Sequence, residues 1–305
     1  MFSLFFLHRH GPGMSFFDQI LQYLIGGITK GSIYSIVALG FTIIYNSTEI
    51  INFAQGEFVM LGALFMVTFS SLLPMPLAFL TAVVAVTIIG MVFDLAVVRP
   101  AKSASPVTLI IITIGASIFI RGVSMLAWGT DPYPIQPFSG DEPIMIRGAT
   151  IIPQTVWIIG TTCVILVALH LFFEHTITGK AMRACAVNRR AASLLGIRVK
   201  RMILLTFALS GALGAVAGII ISPITFATYD MGVMLGLKGF CGAVIGGLGS
   251  VVGSIVGGLV LGILESLGAG LISSAYKDAI AFVILLLVLF IRPTGLFGTG
   301  EIKRV

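Results

Sequence analysis

Apolar tracts long enough to cross a membrane follow one another through almost the whole chain, from Ile20 to Ile291. A spanning helix needs about 20 apolar residues, and the tracts here are continuous, whereas strands of a membrane barrel alternate apolar and polar residues. A helix also bonds every backbone group internally, as lipid requires. The tracts lie at 18–45, 50–72, 76–98, 106–128, 154–173, 202–222, 234–249, 251–272 and 277–291. The sequence therefore predicts an all-α polytopic membrane bundle of about eight to nine transmembrane helices with a broken or re-entrant segment.

The composition leaves no room for a soluble domain. Hydrophobic residues make up 57% of the 305 positions and charged residues only 10%, against about 25% in soluble domains. The net charge of +6 comes from basic residues clustered at the ends of apolar tracts, which indicates a lipid bilayer rather than nucleic acid as the partner. Cys163, Cys185 and Cys241 lack the spacing of a metal or redox site, so no metal is expected.

We expect one transmembrane domain over residues 14–298. The first 13 residues differ from the rest, because their apolar stretch is too short for a signal peptide and no small-residue cleavage pattern follows it. They are expected to be a leader or an alternative start preceding Met14. Residues 299–305, with Lys303 and Arg304, are expected to form a cytoplasmic tail.

The segment between Glu174 and Met202 indicates the orientation in the membrane. It contains seven basic residues and no acid, which is typical of a cytoplasmic loop. The proline-rich segment 129–153, with three acids, is expected to lie outside. These signs predict a multi-pass protein of inner-membrane type with a cytoplasmic C-terminus. The seven basic residues are Lys180, Arg183, Arg189, Arg190, Arg198, Lys200 and Arg201.

Within this basic loop, the stretch from Arg190 to Gly196 has the pattern of a short amphipathic helix ended by glycine. Such a helix is what a membrane subunit offers to a soluble partner. The small residues Ala191 and Ala192 are expected to fit a groove in that partner, with Arg183 nearby in the same loop.

The first tract is interrupted by Gly26-Gly27 and by Lys30-Gly31. To keep the later loops on their predicted sides, this tract must form either two short spans or one span beside a re-entrant piece.

Three strongly polar side chains, Asn52, Gln55 and Glu57, open the second tract. Burying them unpaired costs several kcal/mol each, so they must face protein or water and not lipid. Two interpretations stay open: an anchor that ties a helix break to its neighbours, or a lining of the transport path. Glu265 lies deep in its tract and is a further path candidate, whereas Asp94 and Arg121 are close enough to tract ends to extend to the membrane surface.

Glycines are concentrated near residue 250, with small-residue spacings that allow helix backbones to approach closely. The block predicts either a close helix contact within this chain or a contact with a second permease subunit. Its members include Gly246, Gly247, Gly249, Gly253 and Gly257.

No nucleotide-hydrolysis motif is found in the sequence. Gly179-Lys180 is followed by Ala181, so it does not form a phosphate-binding loop. There is also no nucleophile elbow and no paired-histidine metal helix. The chain is therefore expected to be a transport subunit and not an enzyme.

Several separated motifs, in order, resemble the LivH-type permease subunit of bacterial branched-chain amino acid ABC importers. The resemblance runs from about Met14 to Gly298. The motifs are Asn52 to Phe58, Arg99-Pro100, Gly179 to Ala184 with Gly196-Ile197, Gly246 to Ser250, and Arg292 to Gly298.

The resemblance implies a LivM-like companion permease, two cytoplasmic ATPase subunits that use ATP, and a periplasmic amino-acid-binding protein, with no cofactor on this chain. It also implies that the segment from Arg190 to Gly196 transmits the ATPase movement, in the manner of the Glu-Ala-Ala-x-x-x-Gly coupling motif. Arg190 replaces the glutamate of that motif, and the usual hydrophobic-proline continuation is absent.

Two rival functions remain at this stage. A permease of the same superfamily would carry another solute, such as a sugar, urea or other amino acids. A stand-alone secondary transporter or channel would need a cluster of ion-coupling charges or a ring of like charges, and the sequence shows only scattered single charges within its tracts.

Overall fold

The computed structural model describes residues 16–101, 104–140, 142–146 and 149–298, so the expected leader at 1–13 and tail at 299–305 lie outside the described residues. The helices are α1 (Phe16–Thr48), α2 (Gln55–Ser70), α3 (Met75–Phe93), α4 (Pro106–Trp128), α5 (Pro153–His175), α6 (Ile177–Val187), α7 (Arg189–Leu194), α8 (Val199–Thr225), α9 (Met231–Gly246), α10 (Val251–Leu271) and α11 (Lys277–Ile291). A π-helical turn (Asp94–Val98) extends α3, and a 3-10 turn (Ser274–Tyr276) precedes α11. Strands β1 (Ile144–Ile146) and β2 (Ala149–Ile151) form a small antiparallel hairpin.

The predicted all-α membrane bundle is confirmed. Seven helices of the described part are long and apolar enough to cross a membrane, and α2 and α9 are shorter apolar helices of 16 residues each. Together they account for the nine apolar tracts. α4 and α5 begin with proline, which fits the first turn because no backbone N–H is needed there.

The centre of the bundle is formed by α1, which packs mainly against α10, α8 and α9. In its most apolar stretch 89% of the residues are buried, compared with 17% for α4 and for α5 and 6% for the segment containing α11. The peripheral helices therefore present continuous apolar faces, as lipid contact requires.

The predicted interruption of the first tract is wrong, because α1 is one continuous helix of 33 residues. Its glycines allow close packing instead of breaking the helix. A Cβ on Gly27 would lie 2.7 Å from the Cα of Ile263, and one on Gly31 would lie 2.8 Å from the Cα of Leu259. Both contacts are with α10, so the glycines permit two membrane helices to touch backbone to backbone.

The break in the chain lies instead between α1 and α2, at residues 49–54. Gln55, the first residue of α2, meets Ser210 near the middle of α8. Gly62 packs on Ala215, which lies closer to the C-terminal end of α8. α2 therefore runs alongside only the second half of α8. This places the polar start of α2 inside the bundle and not at its surface.

Candidate functional site

The start of α2 is shaped by Asn52. Its Oδ1 accepts a hydrogen bond from the backbone N–H of Ala54 (3.1 Å), and its backbone carbonyl accepts one from Gln55 (3.1 Å). Asparagine commonly supports a turn in this way. The Nδ2 of Asn52 is buried and has no hydrogen-bond partner within the described ranges. Asn52 therefore builds the break and leaves one donor free.

Gln55 is held at both ends of its amide. Its Nε2 donates to the Ser210 carbonyl (3.2 Å), and its Oε1 accepts from the Ser210 hydroxyl. The amide also lies against Gly40 of α1, where a Cβ would come within 2.2 Å of Nε2. For Gln55 this bonding favours the role of an anchor over that of a lining of the transport path. Its amide links α2 to α8 and packs against α1.

Glu57 is a second incompletely bonded group. Ser117 of α4 donates to its Oε1 (2.7 Å), while its Oε2 is buried and has no partner in the part of the chain that the structure describes. The side chain is only 1% exposed. A buried carboxylate oxygen without a donor is costly, so Glu57 is the strongest candidate here for contact with a solute or an ordered water.

Glu265 belongs to a buried charge cluster, which corrects the view that the tracts carry only scattered single charges. Its Oε1 pairs with Lys238 Nζ (3.0 Å), and its Oε2 accepts from the Tyr34 hydroxyl (3.0 Å). Lys238 also pairs with Asp278 (2.6 Å). The cluster joins α1, α9, α10 and α11 and satisfies Glu265 fully, which favours a structural role over a path role.

Lys238 was not singled out from the sequence, although a signal was present. It is the one charged residue in the 234–249 tract. An ionisable residue at that depth needs a partner, and Glu265 was the natural acid to consider.

Asp94 was expected to extend to the membrane surface, but it is buried. Its side chain is 2% exposed and pairs with Arg99 (2.8 Å), one turn along the π-helical segment. The two residues border a cavity of about 280 Å³, here named the α4–α7 cavity. The remaining lining includes Glu49, Leu109, Arg189 and Lys200. The cavity therefore lies between the α1–α2 break, the start of α4 and the basic loop.

The expected short helix in the basic loop is α7, which spans six residues. Asn188 caps it by accepting from the N–H of Ala191 (3.0 Å), and Gly196 follows it with φ +84°. The Ile197 N–H bonds back to the Ala192 carbonyl (3.1 Å), which completes a glycine-dependent helix end. Arg190 and Ala191 are exposed, whereas Arg183 on α6 pairs with Glu174 (3.2 Å between Nη2 and Oε2).

Ala192 was expected to contact a soluble partner, but other residues of this segment are the exposed ones. Ala192 is 2% exposed and packs into its own chain, while Leu194 and Leu195 are 89% and 81% exposed. Two exposed leucines beside exposed Arg190 form an apolar and basic surface suited to a soluble partner.

We expect Leu194→Ser with Leu195→Ser to uncouple transport while the chain stays folded, because both side chains are already in solvent. Gly196→Val is expected to uncouple as well, since a β-branched residue at positive φ costs about 1–2 kcal/mol and distorts the end of α7. Solute-stimulated ATP hydrolysis and uptake, measured in the same vesicles, test both changes. Gly196→Asn is the matched control, because asparagine tolerates this backbone conformation. Normal uptake by the double serine variant would contradict the role of α7.

The glycine block packs two helices of this chain against each other. A Cβ on Gly246 would lie 1.9 Å from the Gly253 carbonyl oxygen, and one on Gly257 would lie 2.1 Å from the Gly242 carbonyl oxygen. These contacts join α9 to α10. Gly247 and Gly249 lie in the turn between them with φ +104° and +96°, which only glycine adopts readily.

Cysteine labelling tests the predicted sides of the membrane. Cys185 is a poor reporter, because it is 1% exposed and burial raises the pKa of its thiol, which lowers the reactive thiolate fraction. Val187→Cys is preferable because Val187 is 89% exposed on α6. In a chain without other cysteines, we expect an impermeant thiol reagent added to spheroplasts to label Ser139→Cys and not Val187→Cys. The reverse pattern would overturn the assignment of sides.

Comparison with known proteins decides the family. A sequence profile described as the permease component of branched-chain amino acid transport systems matches residues 23–289. The chain belongs to this family. The resemblance read from the motifs is thereby confirmed, and the protein is a multi-pass membrane permease component of a transporter.

Relatives include permeases for more than one solute. The permease is 34% identical over 306 residues to the high-affinity branched-chain amino acid transport system permease protein LivH of Salmonella typhimurium, covering 95% of this chain and 99% of the relative. It is 34% identical over 301 residues to BraD of Pseudomonas aeruginosa, covering 93% and 98%. It is also 28% identical over 297 residues to the ribose import permease protein RbsC of Haemophilus influenzae, covering 93% and 87%.

Proposed function

We propose that this chain is the permease subunit of an ATP-driven importer that moves leucine, isoleucine and valine from the periplasm to the cytoplasm. The observation that carries the proposal is the near full-length identity of 34% to permeases named for high-affinity branched-chain amino acid transport. The bundle adds a polar helix break at its centre, beside a buried apolar cluster that includes Ala54, Phe58 and Phe93, and this combination suits an aliphatic amino acid.

The proposal includes partners. A LivM-like companion permease, two cytoplasmic ATPases and a periplasmic binding protein would complete the importer in the bacterial inner membrane, with the C-terminus of this chain in the cytoplasm. ATP would be used by the ATPases, and this chain would bind no cofactor. The exposed leucines of α7 provide the surface on which an ATPase would act.

Ribose is the second candidate solute, because the ribose permeases align over most of the chain. Deletion of the chromosomal gene followed by uptake of radiolabelled leucine, isoleucine, valine and ribose separates the two. We expect loss of high-affinity uptake of the three amino acids, unchanged ribose uptake, and recovery with a plasmid copy. Loss of ribose uptake alone would overturn the proposed solute.

The charge cluster of Lys238, Glu265 and Asp278 is a feature that a stand-alone secondary transporter would also need. In this structure both acids pair with Lys238, Lys30 interacts electrostatically with both of them, and Tyr34 satisfies the remaining oxygen of Glu265. A cluster so fully paired suits a fixed helix contact better than an ion that binds and leaves.

A further inference from the structure

The face of α4 that meets α2 carries several polar side chains, although α4 is one of the most lipid-exposed helices. Thr113, Ser117 and Ser124 are buried there at 0%, 8% and 1% exposure. The Thr113 hydroxyl accepts from the Phe53 N–H (3.3 Å), and Ser117 donates to Glu57. α4 therefore contributes a polar stripe to the α1–α2 break, and we name this contact the α2–α4 seam.

Arg121 continues the stripe one helical turn, about 6 Å, beyond Ser117. It interacts electrostatically with Glu57, yet no nitrogen of Arg121 comes within 4.0 Å of a carboxylate oxygen among the described residues, and it has no hydrogen bond to them. Opposite charges in an apolar environment normally close into contact. Here they stay apart, with Glu57 Oε2 unpartnered between the helices.

Asn52 supplies a further free group at the same break, since its buried Nδ2 donor has no partner in the described ranges. Within the part of the chain that the structure describes, the seam thus offers an unused acceptor on Glu57, an unused donor on Asn52 and a guanidinium on Arg121 without an ion pair. A negatively charged hydrogen-bond acceptor and a positively charged hydrogen-bond donor match the ammonium and carboxylate ends of a zwitterion. Phe93 belongs to a hydrophobic cluster, and Ile50 packs against it. The cluster also includes Ala54 and Phe58, which are close in sequence to Asn52 and Glu57.

α4 is also suited to move. It contacts chiefly α2 and the π-helical turn, and only 17% of its apolar stretch is buried. Its outer end is fastened to α2, because the Trp128 indole donates to Thr68 (2.8 Å) and stacks edge-on against Phe65. Its other end begins at the α4–α7 cavity, which is also bordered by Arg189 of α7. A tilt of α4 about Trp128 would open the seam toward that cavity.

We propose that the α2–α4 seam holds the amino acid during transport, with Glu57 receiving its ammonium group, Arg121 its carboxylate, and α4 serving as the wall that moves. This inference rests on the proposed function, and it names the recognition groups and the moving element. Asn52 donates a hydrogen bond to the carboxylate, while Gln55 holds the fixed wall in place.

The test uses the complete importer in inside-out vesicles, with Ser117→Cys in a chain free of other cysteines. A charged thiol reagent is added from the α7 side, and the rate of alkylation is measured with and without leucine. We expect Ser117→Cys to react, and saturating leucine to slow its reaction by about tenfold through occupancy of the site. Isoamylamine, which lacks the carboxylate, and isocaproate, which lacks the ammonium group, should protect far less.

The matched control is Val187→Cys on α6, whose side chain is 89% exposed in the basic loop on the side where the reagent is added. Leucine should not change its alkylation. Adding Glu57→Gln or Arg121→Gln to Ser117→Cys should abolish protection by leucine. Three results would each overturn the proposed site: protection that survives both changes, equal protection of Val187→Cys, or a Ser117→Cys that never reacts in a transport-competent complex.

Leucine uptake by the parent complex, measured in the same preparation reconstituted in the uptake orientation, separates the two proposals. Normal leucine uptake with an unprotected Ser117→Cys overturns only the seam, while absent leucine uptake overturns the proposed solute.

Discussion

Lys238→Ala is expected to destabilise the permease by about 3–5 kcal/mol, because it leaves Glu265 charged, buried and without a cation. Glu265 is 1% exposed, and its remaining bond to Tyr34 cannot replace an ion pair. Asp278 should matter less, since its side chain is 41% exposed and water can solvate it. Thermal unfolding of the purified permease in detergent, together with its yield from the membrane, measures the effect.

The control removes both charges. Lys238→Met with Glu265→Gln keeps the volume and leaves no unpaired ion, so it should recover most of the lost stability. If the double variant is as unstable as Lys238→Ala, the loss comes from packing and not from charge. If Lys238→Ala unfolds like the parent chain, the cluster does not hold α9, α10 and α11 together.

Gly257→Ala is expected to disrupt the contact of α9 with α10. The added Cβ would lie 2.1 Å from the Gly242 carbonyl oxygen and 2.5 Å from the Gly246 nitrogen, and neither backbone can move independently of its helix. We expect a loss of about 3 kcal/mol from overpacking, well above the roughly 1 kcal/mol gained from helix propensity. Thermal unfolding and yield in detergent again provide the measurement.

Gly160→Ala is the matched control for this change. Gly160 lies on α5, and a Cβ there would meet nothing within 4 Å. The same substitution in the same bundle should therefore leave stability unchanged or slightly raised. Equal losses at Gly160 and Gly257 would contradict the close α9–α10 contact.

The sequence predicted the features that depend on local pattern. Continuous apolar tracts gave the helices, and the glycine after the basic helix indicated the end of α7. The glycines near residue 26 misled for an instructive reason. Glycine weakens an isolated helix, but a membrane helix bonds its backbone internally, and there glycine permits close contact. The outcome depended on the partner, α10, which no local pattern reveals.

The sequence also could not show which side chains meet each other in the candidate site. Glu57 meets Ser117, which is 60 positions away, and Lys238 meets Glu265, 27 positions away. Gln55 acts as an anchor because it faces α8, whereas Glu57 faces α4 and remains incompletely bonded. Ala192 and Leu194 show the same limit, because a six-residue helix carries too little pattern to indicate its buried face.

Reconstitution gives the most direct test of the claim that this chain is the permease of an ATP-driven amino acid importer. The permease, copurified with its operon partners, is placed in proteoliposomes with binding protein and radiolabelled leucine outside. The account predicts leucine accumulation only with ATP inside, and none with a proton gradient alone or when the double serine variant at Leu194 and Leu195 replaces the parent chain. Accumulation driven by the proton gradient without ATP would contradict it.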